Sequence, residues 1–258
     1  MSYENCHTLY SERRENQNLS LLVNTGNDEF EYVTHQIFAK KELAVVGMSL
    51  GNSYFSEKRI RFILSGLSSY FKEVAVIITD EIAIHNFRAM GYTEQKSQSK
   101  VTKSANALAN KINRAIATVE NNEETDNAST VHTLSPSINL YRWKQLNSCP
   151  AYQETFEQVQ ILYHNHSGFS SAIRATTLQV MKKHITSLRT INSVVDEAKW
   201  YLLKECAFAL AAPDFFRVPL LTAYYTDFPI YRRLLSGFYT GKTTTEHGFM
   251  TYQCVANA

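Results

Sequence analysis

The chain has 258 residues, of which 44% are hydrophobic, and that is enough to fill the core of one large domain or two small ones. Its formal net charge is only +2, so any affinity for nucleic acid must come from a local cluster of basic residues. No apolar run approaches the roughly 20 residues of a transmembrane helix, and the polar start is not a signal peptide, so we predict a cytoplasmic protein with no membrane partner.

Cysteine and glycine usage argues against two common kinds of cofactor site. The four cysteines are far apart and form no Cys-x-x-Cys pair, which speaks against a zinc site or a disulfide framework. The nine glycines form no Walker or dinucleotide-binding pattern. The sequence therefore predicts no metal site and gives no sign of a bound nucleotide.

The chain is expected to begin with a flexible tail over residues 1–18, followed by a single domain over residues 19–258. The tail assignment rests on its polar composition. Residues 21–24 and 30–33 are short apolar runs, and we interpret both as short strands.

The most informative early stretch is an apolar, β-branched run from Leu43 that ends in small and polar residues around Ser49. This pattern is typical of a buried strand whose carboxyl end opens into a site-forming loop. A predicted helix over 57–72, a second apolar strand over 74–79 and another helix follow. This alternation predicts an α/β fold with a doubly wound parallel sheet, in which ligands bind at the carboxyl ends of the strands.

A long helix is predicted over residues 95–119, a stretch without an acidic residue. At 100° per residue, five basic side chains fall within an arc of roughly 80°. They are Lys96, Lys100, Lys103, Lys111 and Arg114. An apolar face is predicted to pack inward; it comprises Val101, Ala105, Leu108, Ile112, Ile116 and Val119. The basic face is either an ordinary solvated surface or a contact for the phosphates of a nucleic acid.

Residues 120–130 are acidic and polar, and we predict a mobile loop there. Helices are predicted over 152–163 and 170–188. A later apolar stretch over 218–225 predicts a strand that ends at Tyr225. The last segment, from residue 237 onward, follows no pattern that we can assign.

The helix predicted over 194–210 places one carboxylate in an otherwise apolar and aromatic stripe. Glu205 shares this stripe with Tyr201, which lies one turn away. An unpaired charge buried there costs several kcal/mol. Three interpretations stay open: Glu205 lies at an edge that escapes burial, it pairs with an Arg or Lys of the same chain, or it awaits a cation supplied by a substrate.

Residues 47–51 match G-x-S-x-G, the nucleophile elbow of α/β-hydrolases. In that fold a tight turn joins the strand directly to the helix, whereas several residues separate Ser49 from the predicted helix here. No later histidine lies in a recognisable triad context. A serine hydrolase is therefore an alternative rather than the main interpretation.

A wider set of motifs resembles the cyclodipeptide synthases, which make cyclic dipeptides from two aminoacyl-tRNAs. The residues that carry the resemblance are a strand ending in Gly-aliphatic-Ser (Val45-Val46-Gly47-Met48-Ser49) and a helical motif (Tyr201-Leu202-Leu203-Lys204-Glu205). The loop at residues 52–56 and the tyrosine at Tyr225 agree with the family as well. Leu43 and Ala207 depart from it, since the first motif usually opens with His and the second usually ends in Pro.

The resemblance implies a Rossmann-like parallel sheet flanked by helices, similar to the catalytic domain of class I tyrosyl- and tryptophanyl-tRNA synthetases. It implies that Ser49 takes up an aminoacyl group and later carries a dipeptidyl group, which cyclises to a 2,5-diketopiperazine. Glu205 is expected to bind the α-ammonium, and Tyr201 to hydrogen-bond the substrate or relay protons. Substrate binding is assigned to Gly47, Asn52 and Tyr225.

The family resemblance also suggests partners. Aminoacyl-tRNAs are the expected substrates, with their phosphates on the basic face of the long helix. No metal or nucleotide cofactor is expected, no DNA is bound, and the protein is predicted to be a monomer. The remaining alternative, beside the hydrolase, is a tRNA-binding protein without catalysis.

Overall fold

The computed structural model describes residues 7–11, 18–24, 29–126, 136–185 and 190–255. Within these residues seven strands form one sheet. The strands are β1 His7–Ser11, β2 Asn18–Asn24, β3 Leu43–Met48, β4 Glu73–Ile78, β5 Ser137–Arg142, β6 Leu220–Tyr224 and β7 His247–Val255. The described helices are α1 Glu29–Lys40, α2 Glu57–Ser68, α3 Ala83–Ala89, α4 Glu94–Asp126, α5 Trp143–Asn147, α6 Pro150–Asn165, α7 Ser167–Met181, α8 Ile191–Phe216 and α9 Pro229–Leu235.

The strand order is β1-β2-β7-β6-β3-β4-β5. Strands β7, β6, β3, β4 and β5 are parallel, while β2 pairs antiparallel with β7 and β1 pairs antiparallel with β2. From β3 the chain first adds β4 and β5 on one side, and then β6 and β7 on the other. The predicted doubly wound, Rossmann-like sheet is thus confirmed, and the strand order reverses between β3 and β6.

Both faces of the central strands are buried, which explains their continuous apolar sequence. On β3, Ala44, Val46 and Met48 pack with α2 and α4 on one face. On the other face, Leu43 and Val45 pack with residues of α5, α6 and α8. Because successive side chains alternate across a sheet, Gly47 and Ser49 belong to this second face.

The first difference from the sequence prediction lies in residues 1–18. Strand β1 occupies His7–Ser11 and pairs with β2, whereas the sequence predicts a tail there. An antiparallel edge strand is held by main-chain hydrogen bonds, which leave little trace in a polar sequence. The other residues of the predicted tail up to residue 17 lie outside the described residues.

Residues 30–33, which we predict to be a strand, belong instead to α1. Four residues are too few to distinguish the period of a helix, about 3.6 residues, from that of a strand, about 2 residues. Over the whole of α1, the buried residues Phe30, Thr34, Ile37 and Phe38 follow helical spacing.

The predicted acidic loop at residues 120–130 is also wrong, because α4 continues through Asp126. The helix contains neither glycine nor proline, so nothing in its sequence breaks it where the charge changes sign. Residues 127–130 lie outside the described residues. The predicted apolar face of α4 is confirmed, since Val101, Ala105, Leu108, Ile112 and Val119 are buried.

Candidate active site

The candidate site lies where the strand order reverses. Ser49 follows β3 directly, and Tyr225 follows the neighbouring strand β6. The two strands pair in parallel, so their carboxyl ends meet at the same edge of the sheet. Ligands of open α/β sheets bind at this topological position.

A cavity of about 630 Å³ opens at this edge. Its volume lies within the usual range for small-molecule sites. Strands β3, β4, β6 and β7 form its floor, and α8 contributes Tyr201, Glu205 and Phe208 to its lining. A Cβ atom added to Gly47 would meet no atom within 4 Å, so this glycine leaves the floor open beneath Ser49.

The loop after β3 holds Ser49 through Asn52. The Nδ2 of Asn52 donates to the Oγ of Ser49 at 3.3 Å and to the hydroxyl of Tyr225 at 2.9 Å. The Oδ1 of Asn52 accepts from the backbone N–H of Tyr54 at 3.0 Å, which fixes the orientation of the amide. The ring of Tyr54 stacks on Tyr225, with 3.9 Å between the centroids. All hydrogen-bonding groups of the Asn52 amide are thereby used.

Ser49 lies in a setting that differs from a nucleophile elbow. Residues 50–56 separate it from α2, which begins at Glu57 and is capped by Ser56. Among the described residues, the hydrogen-bond partners of Ser49 are Asn52 and Tyr224, and neither is a histidine. Because the Oγ accepts from Asn52, the hydroxyl proton of Ser49 is available to the hydroxyl oxygen of Tyr224.

Glu205 is enclosed by aromatic side chains on the roof of the cavity. Tyr231 of α9 donates to its Oε2 at 2.7 Å. Burial raises the pKa of Glu205 to about 7, while hydrogen bonds from Tyr231 and Tyr201 act in the opposite direction. Within the described residues no Lys or Arg forms an ion pair with Glu205. The structure therefore does not support an intramolecular ion pair, which was one of the three interpretations of this residue.

Tyr201 is tied to the end of β4. Its hydroxyl donates to the Oγ1 of Thr79 at 3.0 Å, and Thr79 in turn donates to the carbonyl of Met48 at 3.4 Å. This chain of hydrogen bonds ends on the residue that precedes Ser49. Burial and the carboxylate of Glu205 raise the pKa of Tyr201, so its hydroxyl keeps its proton at neutral pH.

A buried histidine lies on the floor of the same cavity, a position that the sequence analysis missed. The Nδ1 of His247 is hydrogen-bonded to the carbonyl of Ala209, and its Nε2 lies 2.8 Å from the Oγ1 of Thr222. A carbonyl only accepts, so Nδ1 carries the proton and Nε2 accepts from Thr222. Burial lowers the pKa of His247 to about 4, and the ring is neutral at physiological pH.

The six predicted catalytic and substrate-binding residues all line this cavity. They are Gly47, Ser49, Asn52, Tyr201, Glu205 and Tyr225. Sequence analysis missed Tyr231, Thr79 and Thr222 besides His247. Tyr231 lies 26 residues beyond Glu205, in a short helix that Asp227 and Pro229 predict from the sequence without assigning it to the site. Nothing in the sequence indicated that α9 contacts α8.

The predicted tRNA-binding residues lie elsewhere. Helix α4 packs with α2 against the opposite face of the sheet, and its basic residues do not line the cavity. Lys96, Lys100 and Lys103 are exposed, whereas Lys111 is half-buried. The Nη2 of Arg114 lies 2.6 Å from the Oε2 of Glu57, so this guanidinium already has an anionic partner.

The described residues contain neither a cluster of metal-ligating side chains nor a membrane-spanning helix. No group of three or more His, Cys, Asp or Glu side chains is arranged to hold a metal ion. None of the described helices combines the length and the hydrophobicity that crossing a bilayer requires.

Comparison with known proteins gives consistent matches. The family model "Cyclodipeptide synthase" matches residues 30–253. The cyclo(L-leucyl-L-leucyl) synthase of Staphylococcus haemolyticus is 21% identical over 220 residues, covering 83% of this chain and 88% of the relative. The cyclo(L-leucyl-L-phenylalanyl) synthase of Streptomyces noursei is 24% identical over 73% of this chain and 75% of the relative.

Solved structures share the fold. A Mycobacterium tuberculosis protein superposes with a TM-score of 0.73 at 17% identity, covering 99% of both chains. That structure is described as demonstrating that cyclodipeptide synthetases are related to type I tRNA synthetases. The sheet described above therefore has the architecture that the sequence predicts.

Proposed function

The chain belongs to the cyclodipeptide synthase family, whose members are enzymes that use aminoacyl-tRNAs, and we propose that Ser49 is the nucleophile of its reaction. One observation carries this proposal. Ser49 is distant in the chain from Tyr201 and Glu205, yet all three line a single cavity at the switch point of the sheet. The product of two such aminoacyl transfers is a 2,5-diketopiperazine.

In the first step the Oγ of Ser49 attacks the carbonyl carbon of an aminoacyl ester. The bond to the ribose oxygen breaks, the serine proton passes to that oxygen, and an aminoacyl ester of Ser49 remains. One ester replaces another, so the step needs little driving force, and positioning can supply much of its rate. The absence of a histidine partner for Ser49 among the described residues fits such an activated substrate.

Glu205 is the proposed acceptor for the α-ammonium of the bound aminoacyl group. A carboxyl held by hydroxyl groups has no ionic partner of its own, so an incoming cation can favour its charged form, and charge-assisted hydrogen bonds are the strong ones. Tyr201, one turn away, is placed to hydrogen-bond the substrate and to relay a proton. Asn52 and Tyr225 orient the aminoacyl group beside Ser49.

In the second step the neutral amine of another aminoacyl-tRNA attacks the ester on Ser49. This attack forms the first peptide bond and displaces Ser49, so the dipeptide is then attached to the second tRNA. The dipeptidyl-enzyme that the sequence predicts needs one more exchange, in which Ser49 takes the dipeptide from that tRNA. Attack of the free amine on the remaining ester then closes the ring.

The walls of the cavity favour apolar aminoacyl groups. Beneath and beside Ser49 they include Val45, Ile77 and Trp143, with Phe208 above. The relatives described above are named for leucyl and phenylalanyl products. We propose that leucyl-tRNA and phenylalanyl-tRNA are the first substrates to test.

The tRNA body is proposed to lie on the exposed lysines of α4. A row of lysines neutralises phosphates and releases counterions, without regard to sequence. Lys111 and Arg114 extend this face, although Arg114 must first leave Glu57. We further propose that the protein is a single catalytic domain and acts as a monomer. It would work in the cytoplasm, where aminoacyl-tRNAs are available, and would bind no DNA.

The test is product formation from defined aminoacyl-tRNAs. The protein is incubated with leucyl-tRNA and phenylalanyl-tRNA, then with a full aminoacyl-tRNA pool, and cyclic dipeptides are identified by mass spectrometry. We expect a cyclic dipeptide from the native protein, a covalent aminoacyl adduct on Ser49, and neither with Ser49→Ala. A complete lack of product from the full pool, or full activity of Ser49→Ala, refutes the proposal.

A further inference from the structure

In the described part of the chain, Glu205 is bonded to hydroxyl groups and forms no ion pair with a Lys or Arg. Lys204, its neighbour in sequence, interacts instead with Glu81. The titratable groups that face Glu205 are Tyr201 and Cys206 on α8, Tyr152 on α6, Tyr224 on β6 and Tyr231 on α9. His247 on β7 also lines the cavity, but its ring is neutral, and its two nitrogens are hydrogen-bonded to Ala209 and Thr222. The orientation of the carboxylate therefore depends on hydroxyl donors.

Two tyrosines act on this carboxylate, and the hydrogen bond from Tyr231 lowers its pKa more than that from Tyr201. The hydroxyl of Tyr201 lies 3.0 Å from Thr79, whose own proton is directed to the carbonyl of Met48. Thr79 must then accept, so Tyr201 donates to Thr79 in the resting site. Tyr201 is thus shared between Thr79 and Glu205, whereas the hydroxyl of Tyr231 donates to Oε2 of Glu205 at 2.7 Å.

We propose that Tyr231 is a positioning residue, which fixes Oε2 of Glu205 and so presents the other carboxylate oxygen to the α-ammonium of the aminoacyl group. This inference rests on the proposed role of Glu205 as the ammonium acceptor. Because Tyr231 lies on α9, it also ties the position of that short helix to the geometry of the site.

The same hydrogen bond affects the charge of Glu205. Tyr231 is the first of the two groups that lower the pKa of this carboxyl against the effect of burial. Its removal should raise the pKa above about 7, so that less carboxylate is available at neutral pH. Activity that needs the charged form should then recover as the pH rises.

The variant to test is Tyr231→Phe, which keeps the buried ring and removes only the hydroxyl. Tyr152→Phe is the matched control, because Tyr152 is also buried against α8 but donates to the carbonyl of Lys204. We expect Tyr231→Phe to lower kcat/KM at pH 7 roughly 10- to 100-fold, as for a hydrogen bond to a charged group. The acidic limb of its pH profile should move up by about one unit, whereas Tyr152→Phe leaves the limb in place.

A second measurement does not need turnover. The carboxyl of Glu205 is titrated by difference infrared spectroscopy, with Glu205→Gln used to identify its band. We expect the midpoint to move to higher pH in Tyr231→Phe but not in Tyr152→Phe. An unchanged midpoint, or a uniform loss of activity at every pH in Tyr231→Phe, overturns the inference. A native protein that makes no product refutes the proposed function, while the infrared titration still decides the role of Tyr231.

Discussion

Glu205→Gln should make the folded protein more stable at alkaline pH, although it removes a central residue of the site. Burial raises the pKa of Glu205 from 4.5 to about 7. Between pH 4.5 and about 7 the carboxyl of Glu205 is mostly ionised in the unfolded chain but mostly protonated in the folded protein. The native protein therefore loses stability as the pH rises through this window, and the loss levels off above about pH 7.

Glutamine has the same shape and cannot ionise, so the variant escapes this loss. At 1.36 kcal/mol per pH unit, the advantage of Glu205→Gln in the free energy of unfolding should grow by roughly 2–3 kcal/mol between pH 5 and pH 8. Urea unfolding of both proteins at several pH values measures it. Glu154→Gln, on the exposed side of α6, is the control and should show no such growth. A difference that stays constant with pH would refute the reasoning.

The same variant should lose activity. A neutral amide offers an ammonium no charge, and a hydrogen bond between charged groups contributes about 1.5–3 kcal/mol. We therefore expect kcat/KM to fall roughly 10- to 100-fold. The substitution should thus raise stability and lower activity, as expected when a residue serves the site at a cost to the stability of the fold.

Three further variants test the floor of the cavity and the basic helix. Gly47→Val should leave the melting temperature nearly unchanged, because a Cβ there meets no atom within 4 Å. The same variant should abolish product formation, because its side chain fills the floor of the cavity. A parallel loss of stability would contradict this expectation. Lys100→Ala combined with Lys103→Ala should weaken tRNA binding and lower its salt dependence by about two phosphate contacts. Glu57→Gln should strengthen binding, since it frees Arg114; unchanged salt dependence would leave the lysines as a solvated face.

Local patterns were sufficient to predict the central strands and residues that line the cavity. The continuous apolar runs of β3 and β4 identify central parallel strands, because only strands covered on both faces have such sequences. The position of Ser49 follows from the end of β3. Tyr201 and Glu205 are four residues apart on one helix, so their proximity is a property of helical geometry alone.

Contacts between distant segments were not predictable in the same way. Tyr231 reaches Glu205 only because α9 packs beside α8, and no period in the sequence encodes that contact. His247 is the first residue of β7, which pairs in parallel with β6. The segment from residue 237 onward is rich in Gly and Thr, and its sequence did not indicate a strand. Strand β1 pairs through its main chain, which depends weakly on side-chain identity. In each case the information lies in tertiary packing.

The partners of Glu205 distinguish a structural carboxylate from one that awaits a ligand. An arginine beside it would stabilise the charge, but it would also occupy the place of an incoming ammonium. Hydroxyl groups donate hydrogen bonds to the carboxylate without pairing its charge, as Tyr231 does at 2.7 Å. The remaining cost of burial is expressed in a pKa of about 7, and a bound cation would offset it. Under the proposed function, the carboxylate of Glu205, which has no Lys or Arg ion-pair partner among the described residues, marks the place of a cationic substrate group.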